Sequence, residues 1–240
     1  MGSIVLDQLN ANPDHQVDFF DDFVLLDVVG RWTNVSGDTG AEPTLATDGK
    51  SDVLLTTGAT NNNECYLTSN LLFDLAVGQQ VLAEAKVLAT EAATDDLNFI
   101  FGIVSGAGAN ALQDDGGGPP ASYSGACIFK VDGGTTWNLE SSVGGSQTTS
   151  TTTLTSAQST YQLLRILIDV VSATEAEVSF MIGQEGGNFF RLVTDSNGQP
   201  IKHTINPTSF AAANVVIGAK AGGAASEVPR VDYVRVSQTK

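Results

Sequence analysis

Histidine is almost missing from this chain, with only His15 and His203 among 240 residues. A three-histidine zinc site is excluded by count, and no H-E-x-x-H run occurs. A Ser-His-Asp triad would need one of the two, and neither has a recognisable context. His15 lies in a polar N-terminal stretch, and His203, beside the turn-like "DSNGQP", is expected to be exposed. Cysteine is as scarce. Cys65 and Cys127 are far apart in apolar, strand-like surroundings, so buried free thiols are preferred over a disulfide. Cations are outnumbered, 11 Lys and Arg against 27 Asp and Glu, for a net charge of −16. Such a surface repels phosphate backbones and anionic bilayers, so neither nucleic acid nor membrane is an expected partner. Long apolar runs are absent too. The strongest, "YQLLRILIDVV", is interrupted by Arg165 and Asp169, and "MGSIVLDQLN" carries no basic, apolar leader pattern. A soluble protein is expected.

What is present favours β structure. Hydrophobic residues make up 42% of the chain, enough for a core, while 25 glycines and many Thr, Ser and Asn supply turns. Val81, Ala83, Ala85, Val87 and Ala89 alternate with polar Glu84 and Lys86. Leu97, Phe99, Phe101 and Ile103 share a face, as do Leu164, Ile166, Ile168 and Val170, and Ala176, Val178, Phe180 and Ile182. A period of two over many short runs predicts an all-β antiparallel sandwich. The helix formers of residues 69–96 offer a competing helix, but Gly78 interrupts them and the Ala/Val alternation beyond it suits a strand.

Residues 1–18, with Pro13 in the middle, read as an extended N-terminal arm, and 19–240 as one sandwich domain. Asp132-Gly133-Gly134 and "DSNGQP" are turn signals. The Gly/Ala/Pro-rich stretch from Ser105 to Gly125 is a long loop, a length usually functional or mobile. The Thr/Ser-rich run near 145–160 reads as an exposed edge strand with its loop.

Candidate chemistry is sparse. Glu175 and Glu177 alternate on one face, but Ala176 and Val178 already fill the core side, so the pair reads as a solvated surface. The doublets Asp21-Asp22, Asp95-Asp96 and Asp114-Asp115 could hold Ca²⁺ in principle, the last best placed. No EF-hand spacing supports any of them, and no metal or cofactor is assigned. "GAGAN" and "DGGGPP" lack the Lys-Ser/Thr of a phosphate-binding loop, and Asn34 in "NVS" fits the glycosylation pattern only. Trp32, Trp137, Tyr66 and Tyr123 are the aromatics a sugar-binding face would use, although Trp32 and Trp137 flank turns and suit core packing better.

The closing "VDYVRV" resembles the last strand of laminarinase-type glucanases. That family carries its nucleophile and acid on one strand as E-x-D-x-x-E or E-x-D-x-E. No glutamate of this chain has Asp two positions later, so the catalytic apparatus does not carry over. "FFDDF", "GACIFKVDGGTTW" with its Thr-rich continuation, "AEVSFMIG" and "VDYVRV" resemble the concanavalin-type (laminin-G-like) jelly rolls of tailed-bacteriophage virions. That resemblance implies a non-enzymatic capsid decoration, or cement, protein. It would be a trimer on the outer capsid surface, assembled in the host cytoplasm, binding the major capsid protein and its own copies. Ile4 and Leu6 of the arm and Leu112, Asp114, Asp115 and Tyr123 of the long loop are the candidate partner contacts. The alternative is a carbohydrate-binding, lectin-like module. It predicts exposed, coplanar aromatics on a concave sheet, and burial of both Trp32 and Trp137 would count against the carbohydrate-binding reading.

Overall fold

A computed structural model describes residues 15–106, 108–184, 190–209 and 212–239. Two antiparallel sheets face each other across one core. Sheet A runs in the order β14 (Arg191–Leu192), β13 (Glu175–Gln184), β12 (Gln162–Ser172), β7 (Gln80–Leu88), β17 (Arg230–Thr239), β4 (Val53–Thr57), β3 (Ala41–Leu45). Two further strands join it, β1 (His15–Asp21) on β17 and β15 (Lys202–Ile205) on β13. Sheet B runs β11 (Ser146–Thr155), β10 (Thr136–Val143), β9 (Ser124–Lys130), β8 (Leu97–Ser105), β16 (Ala212–Ala221), β5 (Glu64–Ser69), β2 (Trp32–Val35), with β6 (Phe73–Asp74) on β16.

The alternations predicted from sequence point inward as expected. Val81, Ala83, Ala85 and Val87 of β7 meet Phe99 and Phe101 of β8 and Ile166 and Ile168 of β12 in one apolar cluster. Burying each of the valine, isoleucine and phenylalanine side chains among them contributes about 1.5–3 kcal/mol, which is why the pattern of period two selects this layering. The stretch that competes as a helix is broken by Gly78, whose φ of 80° lies in the left-handed region, and continues as β7. Trp32 and Trp137 are both fully buried. Each indole N–H is satisfied, Trp32 by Asp21 Oδ2 at 2.8 Å and Trp137 by Gln162 Oε1 at 3.0 Å. Cys65 and Cys127 are buried free thiols. Cys65 faces the core and Cys127 the opposite face of sheet B.

The Thr-rich run forms β11 at the edge of sheet B, mostly exposed as expected. Asp132-Gly133-Gly134 joins β9 to β10. Asp195 holds the turn of "DSNGQP" by accepting from the backbone N–H of Asn197 and of Gln199, both at 2.9 Å. Val234 and Val236 of β17 are buried, and Arg235 turns outward to Asp18 at 3.5 Å.

Two expectations need correction. The arm was expected to run to residue 18, but His15–Asp18 already belong to β1, paired with β17. His203 is 3% exposed rather than a surface residue. Its segment adds a strand to β13, and alternation turns His203 and Ile205 inward while Lys202 and Thr204 face water.

Candidate functional site

The outward face of sheet B is covered by its own chain. Tyr66, Ile100, Val104, Cys127, Phe129 and Val216 form a second apolar cluster, and the loop 106–123 lies on it through Leu112 and Tyr123. Lys220, fully buried on β16, fastens this loop. Its ammonium donates to Asp114 Oδ1 at 2.6 Å and Asn110 Oδ1 at 2.8 Å, with Glu64 Oε2 at 3.3 Å. Glu64 in turn accepts the backbone N–H of Asn110 at 3.0 Å. At the other side of the loop, Gln147 Nε2 donates to Glu140 Oε1 at 2.8 Å and reaches the carbonyls of Pro119 and Pro120 at 3.4 Å. Burial raises the Glu140 carboxyl above its ordinary range, partly offset by hydrogen bonds from Thr149, Tyr123 and Gln147.

This arrangement redistributes the expected partner contacts. Leu112 is fully buried and Tyr123 nearly so, its hydroxyl 3.5 Å from Cys127 Sγ, so neither offers a side chain to a partner. An apolar side chain in a Gly-rich loop needs somewhere to be buried, and the outward-facing side chains of Ile100, Val104 and Phe129 on sheet B supply the place. Asp114 and Asp115 do stay at the surface. They diverge, Asp114 to Lys220 and Asp115 Oδ1 to the side-chain amides of Asn61 and Asn62 at 3.1 and 3.2 Å. Among the described residues no three His, Cys, Asp or Glu side chains group as a metal ion would require. Ile4 and Leu6 lie outside the described residues.

Glu175 and Glu177 are at the surface as expected, Glu177 paired with Lys202 at 2.5 Å. Trp32, Trp137, Tyr66 and Tyr123 are all buried, which overturns a sugar face built from these four rings and counts against a carbohydrate-binding reading that rests on them. A pocket between loop and sheet, lined by Ile100, Val104, Asn110, Pro119 and Tyr123, holds only ≈ 70 Å³. That is well below the ~150 Å³ that accommodates a benzene-sized ring.

The roomier concavity opens on sheet A. It holds ≈ 310 Å³ and is lined by Gly49, Lys50, Ser51, Asp52, Lys86, Tyr161 and Asp232. These come from four places: the β3–β4 loop, β7, the segment before β12, and the bulge of β17 between Val231 and Tyr233. Tyr161 is the anchor. Its hydroxyl donates to Asp52, and the ammonium groups of Lys50 and Lys86 stand 5.4 and 4.9 Å from its ring centroid. Burial and the adjacent Asp52 carboxylate push the phenol further above its ordinary value, so it remains a hydroxyl donor. Lys86 Nζ lies 2.6 Å from Asp232 Oδ2. Arg230 closes the set at 2.7 Å from Asp48 Oδ2 and 3.3 Å from Asp52 Oδ2. Three cations, Lys50, Lys86 and Arg230, thus balance three carboxylates, Asp48, Asp52 and Asp232, inside a chain of net charge −16. Sequence reading marked Lys86 as outward-facing but could not assemble this site, because no two of its segments are neighbours in sequence.

No family model and no curated protein sequence matches the chain. Solved structures do match in shape. The endo-1,3-beta-glucanase from Streptomyces sioyaensis superposes with a TM-score of 0.59 at 14% identity, covering 95% of this chain and 98% of that one. Lectin II from Ulex europaeus gives 0.59 at 9% identity, over 94% and 100%. Peanut lectin gives 0.57 at 11%, over 93% and 97%. At such identities the likeness shows the concanavalin-like jelly-roll sandwich and nothing about the site.

Proposed function

We propose that this chain is a non-catalytic, lectin-like carbohydrate-binding module whose ligand sits in the Tyr161 pocket. The observation that carries the reading is the composition of that pocket. A polyhydroxylated ring needs acceptors, donors and an apolar surface within a few ångströms of one another. Asp232 accepts and Lys50, Ser51 and Lys86 donate, while Asp52 (2% exposed) and Tyr161 (7% exposed) back the pocket and present only an edge to it. Their balanced charge suits a neutral sugar better than an anionic one. Lectins among the structural neighbours support the reading by fold analogy only. The glucanase neighbour does not extend it to hydrolysis, since no E-x-D pattern exists in the sequence.

The test is a glycan array followed by calorimetry on the best ligand. Lys50→Ala and Asp232→Asn are each expected to weaken binding at least about tenfold, or ~1.4 kcal/mol. An array without signal, or variants that bind as tightly as the parent, would overturn the proposal.

One observation favours a second reading. Asp114 and Asp115 sit exposed on a loop that Lys220 and Asn62 hold in place, an ordered acidic surface suited to a basic protein partner. On that reading the chain is a capsid decoration protein on the outer surface of a virion, bound to the major capsid protein and trimeric with its own copies. Sedimentation with capsids, lost in Asp114→Ala/Asp115→Ala, is its test. A chain that stays monomeric and apart from capsids would remove it.

A further inference from the structure

Among the described residues Lys220 is one of two lysines that are completely buried, and its surroundings amount to more than an ion pair. It stands opposite Glu64 in the register of β16 with β5, and opposite Asn98 in that of β16 with β8. The 106–123 loop closes over it and brings two carbonyl-bearing side chains to its ammonium, Asn110 Oδ1 at 2.8 Å and Asp114 Oδ1 at 2.6 Å. Glu64 touches both the strand and the loop. Its Oε2 lies 3.3 Å from Lys220 Nζ, and both its oxygens are 3.0 Å from the backbone nitrogen of Asn110. That bond pins Asn110 in the left-handed conformation, φ 58°, with its amide beside Nζ. Tyr66, two positions along β5 from Glu64, and Leu112, midway between Asn110 and Asp114, are fully buried, so apolar groups flank the assembly. An ion pair needs only the carboxylates. An amine, a side-chain amide and a carboxylate in contact with both residues, shielded from water, are the parts of an amide exchange.

We propose that Lys220 and Asn110 join through their side chains in an isopeptide bond that ties the 106–123 loop covalently to β16. Glu64 Oε2 takes one proton from the ammonium, leaving an amine whose lone pair attacks Cγ of Asn110. The Nζ–Cγ bond forms and the Cγ–Nδ2 bond breaks. The attacking nitrogen passes a second proton to Nδ2, which departs as ammonia on the solvent side, where Asn110 is exposed. The ammonia takes the proton held by Glu64, which is a carboxylate again. One lysine ammonium and one asparagine amide thus give one secondary amide and one ammonium ion, with no oxidant or co-reactant. Asp114 is the poorer acceptor. A carboxylate repels the electron pair of an amine, and the Asp114 side chain is 60% exposed to water that stabilises its charge. Until the bond forms, the charges alone fasten the loop.

The test follows the intact mass of the freshly purified full chain over a week at neutral pH and physiological temperature. A species lighter by one ammonia, about 17 Da, is expected to accumulate until it is the main form. Trypsin should then release residues 87–130 joined to 203–230, uncut after Lys220. The joined peptide separates this bond from ring closure at another asparagine, which loses the same mass. Lys220→Arg, and Asn110→Gly with its tolerance of the left-handed backbone, are expected to yield no joined peptide. Glu64→Gln is expected to react about tenfold more slowly or less, having lost its proton carrier. A parent chain still at full mass after the week, or a loss of mass without the joined peptide, would overturn the proposal. So would a joined peptide lighter by water, about 18 Da, which would make Asp114 the acceptor.

Discussion

Replacing Lys220 by Met removes the charge that fastens the 106–123 loop while keeping much of the side chain's volume. The lysine is fully buried, with Asp114 and Glu64 as its carboxylate partners. The two partners respond differently. The Asp114 side chain is 60% exposed and returns to water, whereas Glu64, at 10%, stays in place with the backbone N–H of Asn110 as its remaining donor. Removing one partner of a buried pair costs ~3–5 kcal/mol, and solvent access at Asp114 puts this case at the low end, about 3 kcal/mol. For a domain of this size that corresponds to a fall in Tm of about 6–12 °C. Urea unfolding followed by tryptophan fluorescence reports it, since both indoles are buried. The double variant Glu64→Gln/Lys220→Met is expected to recover at least half of the loss, because the stranded carboxylate is gone. Limited proteolysis within residues 106–123 is expected to rise in the single variant. A loss below about 1 kcal/mol, or a double variant no better than the single, would refute the assignment of Lys220 as the loop's anchor.

Leu112→Ala empties a fully buried site under the same loop and is expected to cost ~2–5 kcal/mol by denaturant unfolding. His203 is buried between Ser141 Oγ at 3.1 Å and Ser150 Oγ at 3.0 Å, and burial lowers its pKa below the ordinary value. The unfolded chain therefore binds the proton first, so stability is lost as pH falls below about 6.5. His203→Gln is expected to flatten that acid-side loss in Tm measured between pH 7.5 and 5.5. Glu140 has the opposite sign. Its raised pKa means the folded chain takes the proton first, so its contribution is present at low pH and lost as pH rises through the folded value. Glu140→Gln is expected to gain stability relative to the parent at pH 8 but not at pH 4, by the same unfolding assay.

The sheets were legible because alternation is a local property, and the apolar runs of β7, β8, β12 and β13 each show it without help from distant residues. His203 was misread because β15 is only four residues long and next to a turn, too short to display a period. Leu112 and Tyr123 were misread for a different reason. A Gly-rich loop looks mobile in sequence, and only the folded sheet reveals the apolar face of Ile100, Cys127 and Phe129 on which it rests. The Tyr161 pocket is harder still, since its polar side chains are individually ordinary and acquire meaning when β17's bulge places Asp232 beside Lys86. Strand patterns report a fold face by face, and sites assembled from loops and bulges leave no period to read.

The carbohydrate-binding account is tested most directly by titrating the ¹⁵N-labelled chain with the strongest glycan from the array and mapping amide shift changes. The account places the largest changes at Gly49–Asp52, Lys86, Tyr161 and Asp232, saturating with the calorimetric affinity. Changes confined to the 106–123 loop, or none at millimolar glycan, would contradict it.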